Sequence, residues 1–260
     1  MLSRLSLLGL VTGFVLCGVA GAAPSLEGPT GIVAVPTTDV VEPSKADLAI
    51  SFQDMEGDDQ RWVVRGVLGA GRNSEIGALY WKADDTGDVK TWGLNYKLQL
   101  AREPEKEFGL AVGAGYSNWD ITGGPLGDFP DFKWAQAYVV GSKVLSPAAG
   151  RDQVGQITGI LGLVWDRVKV SGEGSETDSN LMAGLEFKSR DGSVLGVELR
   201  PAFEGIDKDI VSAVLRREIS RRMTGEIGWT NSFGPLGLDD RRWFAGVSWR
   251  FGAEGEGYYH

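Results

Sequence analysis

Residues 242–251 read Arg-Trp-Phe-Ala-Gly-Val-Ser-Trp-Arg-Phe. Trp243, Ala245, Val247, Trp249 and Phe251 alternate with Arg242, Phe244, Gly246, Ser248 and Arg250. A side-chain period of two is that of a β-strand. One face is apolar with aromatic residues at both ends, and the other is small or cationic. Such a strand suits a bilayer wall, with lipid on one side, a polar lumen on the other and aromatic anchors at the interfaces. Lying near the C-terminus, it is placed to close a barrel against the first strand, with Phe251 as the terminal aromatic read by the barrel-assembly machinery. Nine residues, 252–260, follow as a tail.

The same texture recurs upstream. Leu48, Ile50 and Phe52 alternate with small or polar neighbours, and Trp62, Val64 and Leu68 oppose Arg61, Val63 and Arg65. The stretch 74–82 admits two registers, with Ile76, Ala78 and Tyr80 outward or with Leu79 and Trp81 outward. Residues 90–100 alternate most cleanly, Trp92, Leu94, Tyr96, Leu98 and Leu100 opposing Thr91, Gly93, Asn95, Lys97 and Gln99. Segments near 108–117, 132–145, 154–169, 181–187, 195–199, 211–215 and 223–229 complete a set of twelve with the closing strand, an even number as single-chain bacterial barrels require. Compact connections (Gly71 to Asn73, Arg102 to Lys106, Ser146 to Asp152, Asp191-Gly192, Ser220-Arg221) alternate with longer ones. The long set is Glu56–Gln60, Asp84–Asp88, Asp120–Asp131, Ser171–Ser179, Glu204–Asp209 and Ser232–Asp240. Tight periplasmic turns and longer outer loops are the habit of outer-membrane barrels. The expected fold is therefore an all-β, antiparallel, up-and-down transmembrane barrel of about 12 strands. A secreted sandwich would carry charge on its outward faces and aromatics in mid-strand, contrary to the pattern here.

The N-terminus differs. A cationic start at Arg4, an apolar run from Leu5 to Val19 and Ala20-Gly21-Ala22 form a secretory signal peptide, with cleavage expected after Ala22 rather than a retained anchor. The only cysteine, Cys17, falls inside it, and Leu16 before it argues against lipidation. No disulfide or thiol chemistry is expected of the mature chain. Loss of Arg4 leaves 25 basic against 35 acidic side chains, a mature net charge of −10. With no basic cluster, nucleic acid is a poor partner. Residues 23–44 carry four prolines and no alternation, and read as an extended or folded-back periplasmic or lumenal segment rather than a strand. The barrel proper is expected over 45–251, in the outer membrane of a diderm bacterium.

Catalysis by a histidine base is disfavoured because the chain has one histidine, His260, at its end. Carboxylate pairs at Asp84-Asp85, Asp239-Asp240 and Glu56 with Asp58-Asp59 sit on expected loops. They lack the fixed, opposed placement that glycoside hydrolysis needs, and read better as solvated or as bridging cations to lipopolysaccharide. The expectation is a non-enzyme with no cofactor and no metal. Its partners would be outer-membrane lipid and lipopolysaccharide, with polysaccharide as a candidate. The strand register turns Arg65, Lys97, Glu186, Lys188, Glu198, Arg200, Arg216, Glu218, Glu226 and Arg250 toward the lumen. Two readings stand open: a polar channel for a charged or sugar-like solute, or a salt-bridge network plugging a narrow barrel. No track of inward aromatics is evident. Trp92, Tyr116, Trp165, Trp229, Trp243 and Trp249 are expected at the membrane interfaces.

The segment Gly28-Pro-Thr-Gly31-Ile-Val-Ala-Val-Pro36-Thr-Thr-Asp-Val-Val-Glu-Pro-Ser44 resembles the start of YjbH-type outer-membrane proteins, with Gly28, Thr30, Gly31, Ile32, Pro36 and Thr37 in matching places. The resemblance implies a β-barrel associated with exopolysaccharide production or export, and carries no catalytic residue. Members of that family are much longer than this chain.

Overall fold

A computed structural model describes residues 25–26, 30–54, 60–83, 88–103, 106–122, 132–146, 155–172, 174–189, 191–201, 209–231 and 242–252. Twelve strands follow one another along the chain: β1 (Ala46–Asp54), β2 (Gln60–Gly71), β3 (Ser74–Ala83), β4 (Asp88–Ala101), β5 (Gly109–Thr122), β6 (Phe132–Ser146), β7 (Gly155–Val170), β8 (Gly174–Ser189), β9 (Val194–Arg200), β10 (Ile210–Ser220), β11 (Met223–Thr230) and β12 (Arg242–Phe251). Each pairs antiparallel with its sequence neighbours, and β1 closes on β12 from Ala46 opposite Phe251 to Asp54 opposite Trp243. Closure leaves no strand edge without a ladder partner, the condition for crossing lipid with strands. The alternation at 242–251 thus belongs to the seam strand, as its position suggested.

One face of every strand meets lipid. Phe52, Leu94, Tyr96, Leu161, Leu181 and Trp243 are exposed large apolar side chains, and a water-soluble protein would not leave so many. Toward the loop end an outward aromatic run crosses four strands, with ring centroids 5.6 Å apart for Trp62 and Tyr80 and for Trp92 and Tyr116. Tyr80 pairs with Trp92, and Trp229 with Trp243. Trp165 is exposed on β7, while Trp229 and Trp249 are half-buried. Trp249 and Phe251 lie toward the turn end of β12, where Phe251 is exposed.

The structure decides one open register and corrects two expectations. On β3, Ile76 and Tyr80 face out and Trp81 faces in, buried. Ser171–Ser179 is not a loop, because β8 begins at Gly174 and pairs with β7 up to Val170. The β7–β8 hairpin projects past the hydrocarbon, where both faces are wet and polar residues such as Glu176 and Asp178 suit either side. Likewise β5 continues through Trp119 to Thr122, beyond the expected end. The leader, the tail with His260 and the acidic pairs Asp58-Asp59, Asp84-Asp85 and Asp239-Asp240 lie outside the described residues.

The short-turn end is tightened by bulges. Register shifts fall at Gly69/Gly71, Gln99/Ala101, Val144/Ser146 and Glu218/Ser220, each beside a compact connection, where an extra residue sharpens twist and bend.

Lipid exposure gives a depth-dependent prediction. Leu161→Arg, mid-strand on β7 at 68% exposure, destabilises the barrel by about 2–4 kcal/mol, whereas an arginine near the interface costs about 0–1 kcal/mol. Leu100→Arg, at the turn end of β4, supplies the second case. Denaturant titration in lipid vesicles, read by heat-modifiable gel mobility, measures both.

Candidate functional site

The lumen is occupied. Residues 30–43 enter it at the short-turn end, where Ser44 adopts a positive φ of 62° and turns the chain into β1. That left-handed corner is uncommon for a residue with a Cβ. It brings Pro43 into a bridge with Gly69 of β2. A Cβ on Gly69 would lie 2.1 Å from the Glu42 carbonyl oxygen, so only glycine permits this crossing. Farther in, Gly31 bridges Pro36 and the Ile32 N–H donates to the Val35 carbonyl at 3.0 Å, making a tight loop with its tip at 32–35.

Irregular backbone inside a barrel needs partners for its peptide groups. The wall supplies them by sign. Glu198 of β9 accepts three peptide N–H groups, from Val33 and Val35 at 2.9 Å and from Ala34 at 2.7 Å. Successive N–H groups form a concave anion-binding nest, filled here by a wall carboxylate. On the opposite polarity, Arg216 of β10 donates to the carbonyls of Gly31, at 2.7 Å, and Ile32. Arg216 also reaches Glu226 at 3.4 Å; Glu226 pairs with Arg65 and accepts from Ser51 at 2.9 Å. The tip is thus tied to a network spanning β1, β2, β10 and β11.

A second latch holds the base of the loop. Glu75 of β3 and Lys97 of β4 are cross-strand partners at 3.0 Å, both fully buried. Glu75 accepts from the N–H of Thr30 at 2.9 Å and of Val41 at 3.0 Å. Lys97 donates to the Thr30 hydroxyl and to the carbonyls of Thr30, at 2.9 Å, and Thr37, at 3.2 Å. Gln99 donates to the Thr38 carbonyl at 2.9 Å, and the hydroxyls of Thr38 and Ser142 lie 2.6 Å apart. Losing one member of a buried, paired set leaves an uncompensated charge, at a cost of about 3–5 kcal/mol.

Apolar packing completes the seat. Ile32, Val33 and Val35 are buried with Ala111, Tyr138, Val140, Ile160, Met182, Val214 and Phe244. Ile32 sits in a notch cut by two inward glycines. A Cβ on Gly184 would lie 2.6 Å from its Cδ1, and one on Gly196 would lie 2.6 Å from its Cγ2.

Of the ten charged residues expected to face the lumen, Arg65, Lys97, Glu198, Arg200, Arg216 and Glu226 are buried inside it. Arg200 pairs with Asp166, which also accepts from the Trp134 indole at 2.7 Å and the Gln136 amide at 3.1 Å. Glu186, Lys188 and Glu218 are half-buried at inward positions, and half-buried Arg250 pairs with Asp47 at 3.0 Å across the seam. Glu75, a pivot of the second latch, was missed with the undecided register of β3. Inward aromatics were missed as well. Trp81, Trp119 and Phe132 cluster in the loop-end half of the lumen. Trp81 and Trp119 meet edge to face at 4.8 Å, Trp119 stacks on Phe132 at 4.8 Å, and the Arg61 guanidinium lies 3.8 Å over the Trp81 ring. Trp119 lay beyond the expected end of its strand, Trp81 in the undecided register of 74–82, and Phe132 in a segment, 132–145, whose faces were not assigned.

The mature chain expected after leader removal has no cysteine, so a disulfide can report the seating. With Thr38→Cys and Ser142→Cys, the folded barrel forms an intramolecular crosslink on oxidation, and the urea-unfolded chain does not. Adding Glu198→Ala lowers the crosslink yield by loosening the tip. Non-reducing gels and mass spectrometry read both results.

No protein-family model matches the sequence, and no curated protein does; neither comparison supports the YjbH-type resemblance specifically. Solved structures do match. The KdgM porin aligns with a TM-score of 0.52 at 10% identity, over 79% of this chain and 99% of that one, as does the same porin in complex with disordered oligogalacturonate. Omp33 of Acinetobacter baumannii aligns with a TM-score of 0.46 at 9% identity, over 80% and 98%. The chain has the fold of an outer-membrane, porin-like β-barrel.

Proposed function

We propose that this protein is an outer-membrane barrel closed at rest by its own residues 30–43, a gated passage for solute and not an enzyme. The observation that carries this reading is the seat of three consecutive peptide N–H groups on the Glu198 carboxylate, inside a wall that otherwise has a porin's architecture. Here the contacts are mostly ionic wall groups gripping backbone, which water can replace when the segment leaves. A polysaccharide or oligosaccharide as the solute is supported by the oligogalacturonate complex of the KdgM porin and by the resemblance of residues 28–44 to YjbH-type proteins. The non-enzymatic reading rests on the histidine count. A second reading, a permanently plugged structural barrel whose loops bind cations, lipopolysaccharide or a partner, draws on the same filled lumen.

Planar-bilayer conductance separates them. The refolded mature chain is expected to be silent apart from rare openings, and a chain lacking residues 30–43 to show steady single-channel steps. Glu198→Ala removes three charge-assisted hydrogen bonds; a net loss of about 3 kcal/mol raises the open fraction roughly a hundredfold. Oxidised Thr38→Cys/Ser142→Cys stays silent until reduced. Steady steps from the unaltered chain, equal to those of the deletion, would overturn closure by the segment. A folded but silent deletion variant would favour the structural barrel.

A further inference from the structure

On β7 the outward face reads, from mid-strand toward the loop end, Leu161, Leu163, Trp165, Arg167 and Lys169, all exposed. At about 3.4 Å per residue, the two cations stand about 7 and 14 Å beyond Trp165 along the strand. That is past the aromatic band that marks the edge of the hydrocarbon. Lys133 of β6, also exposed, lies directly opposite Lys169, and Ala135 lies opposite Arg167. We propose that Lys133, Arg167 and Lys169 form a site on the lipid-facing wall for a phosphate group of outer-leaflet lipopolysaccharide. The site requires that the loop end face outward, and does not rest on passage of solute through the lumen.

The pairing itself calls for an anion. Like charges directly opposite on one face of an antiparallel pair repel, and Lys133 with Lys169 is such a pair. Directly opposed Cβ atoms lie about 4.5–5.5 Å apart and diagonal ones about 7–8 Å, so Arg167 stands within reach of the same point as the two lysines. Among the described residues neither lysine has an ion-pair partner. Arg167 donates to the Ser175 hydroxyl at 3.2 Å, not to a carboxylate. A phosphate arriving from outside turns this mutual repulsion into attraction, through charge-assisted hydrogen bonds to its oxygens.

Charge on this part of the wall is sorted by face. Ser175 and Thr177 of β8 stand opposite Lys169 and Arg167 on the outward side and add hydroxyl donors. Asp166, Glu176 and Asp178 share the parity of buried Val164 and Met182, which is the lumen side. A hairpin in water alone would gain from opposite charges across the ladder, and this one keeps its cations on one face and its carboxylates on the other. The chain as a whole carries a net charge of −9, so composition does not account for a cationic outer face. Asp120, exposed on β5, stands opposite Lys90 and not opposite any of the three. Anionic headgroups attract basic side chains at a membrane surface, and the position beyond Trp165 is where such headgroups lie.

The test is binding of bisphosphorylated lipopolysaccharide to the refolded mature chain in detergent, read by native mass spectrometry, with dephosphorylated lipopolysaccharide as the comparison. Lys133→Gln/Lys169→Gln removes the opposed charges. Lys143→Gln removes an exposed outward cation at the turn end of β6 and serves as control. The double variant is expected to bind the phosphorylated lipid roughly tenfold more weakly or worse, the control to bind as the unaltered chain does, and added salt to weaken binding. A second readout is the denaturant midpoint. In phosphatidylcholine vesicles the double variant is at least as stable as the unaltered chain, because repulsion is relieved; in vesicles containing lipopolysaccharide it is the less stable of the two. Equal binding by the unaltered chain and the double variant, or equal binding of the dephosphorylated lipid, would overturn the site. Competition by inorganic phosphate or by lipid-free polygalacturonate as effective as by lipopolysaccharide would overturn the assignment to a lipid. None of these outcomes depends on whether residues 30–43 ever leave the lumen.

Discussion

A peptide group buried without a hydrogen-bond partner is costly, and that cost organises the inside of this barrel. Strands satisfy their own backbone through the ladder. The loop at residues 30–43 cannot, so its N–H groups need anions and its carbonyls need cations. Glu198 and Glu75 meet the first demand, and Arg216, Lys97 and Gln99 meet the second. The charged residues inside the barrel are therefore arranged around a backbone, and their mixed sign follows from the mixed polarity of that backbone. A pathway lined for a permeating ion of one charge would not need both signs in such alternation.

Shape follows from the same arrangement. Several wall positions that meet the loop or a large inward side chain are glycines: Gly69 under Glu42, Gly184 and Gly196 around Ile32, Gly113 under Tyr138. The barrel interior is fitted to its occupant at the turn end and to a cluster of aromatic side chains, Trp81, Trp119 and Phe132, at the loop end. Lipid sees none of this, because the outward face is mostly apolar side chains with aromatic bands.

Much of the wall was legible because lipid imposes a strict alternation. Residues 90–100 and 242–251 show it most clearly, and the strands there fall where the pattern puts them. Beyond the hydrocarbon the alternation fades, which is why 174–179 read as loop and why Trp119 fell outside its strand. On β3 the decisive clue was Glu75. It shares parity with Trp81, and a carboxylate cannot face lipid, so Trp81 must face inward. Four prolines marked residues 23–44 as a non-strand segment, yet where they dock was not legible. Val33, Ala34 and Val35 engage Glu198 through peptide N–H groups, which every non-proline residue carries, so their side chains hold no trace of the contact.

The reach of the latch along the chain has a consequence for assembly. Val33 and Glu198 are separated by 165 residues, and Gly31 and Arg216 by 185. Contacts so distant in sequence cannot form early, since the intervening chain must first be ordered. The segment finds its seat only when β9 and β10 are in the wall. Filling of the lumen is thereby a record of completed construction: a wall that lacks β9 has no Glu198 to receive the tip.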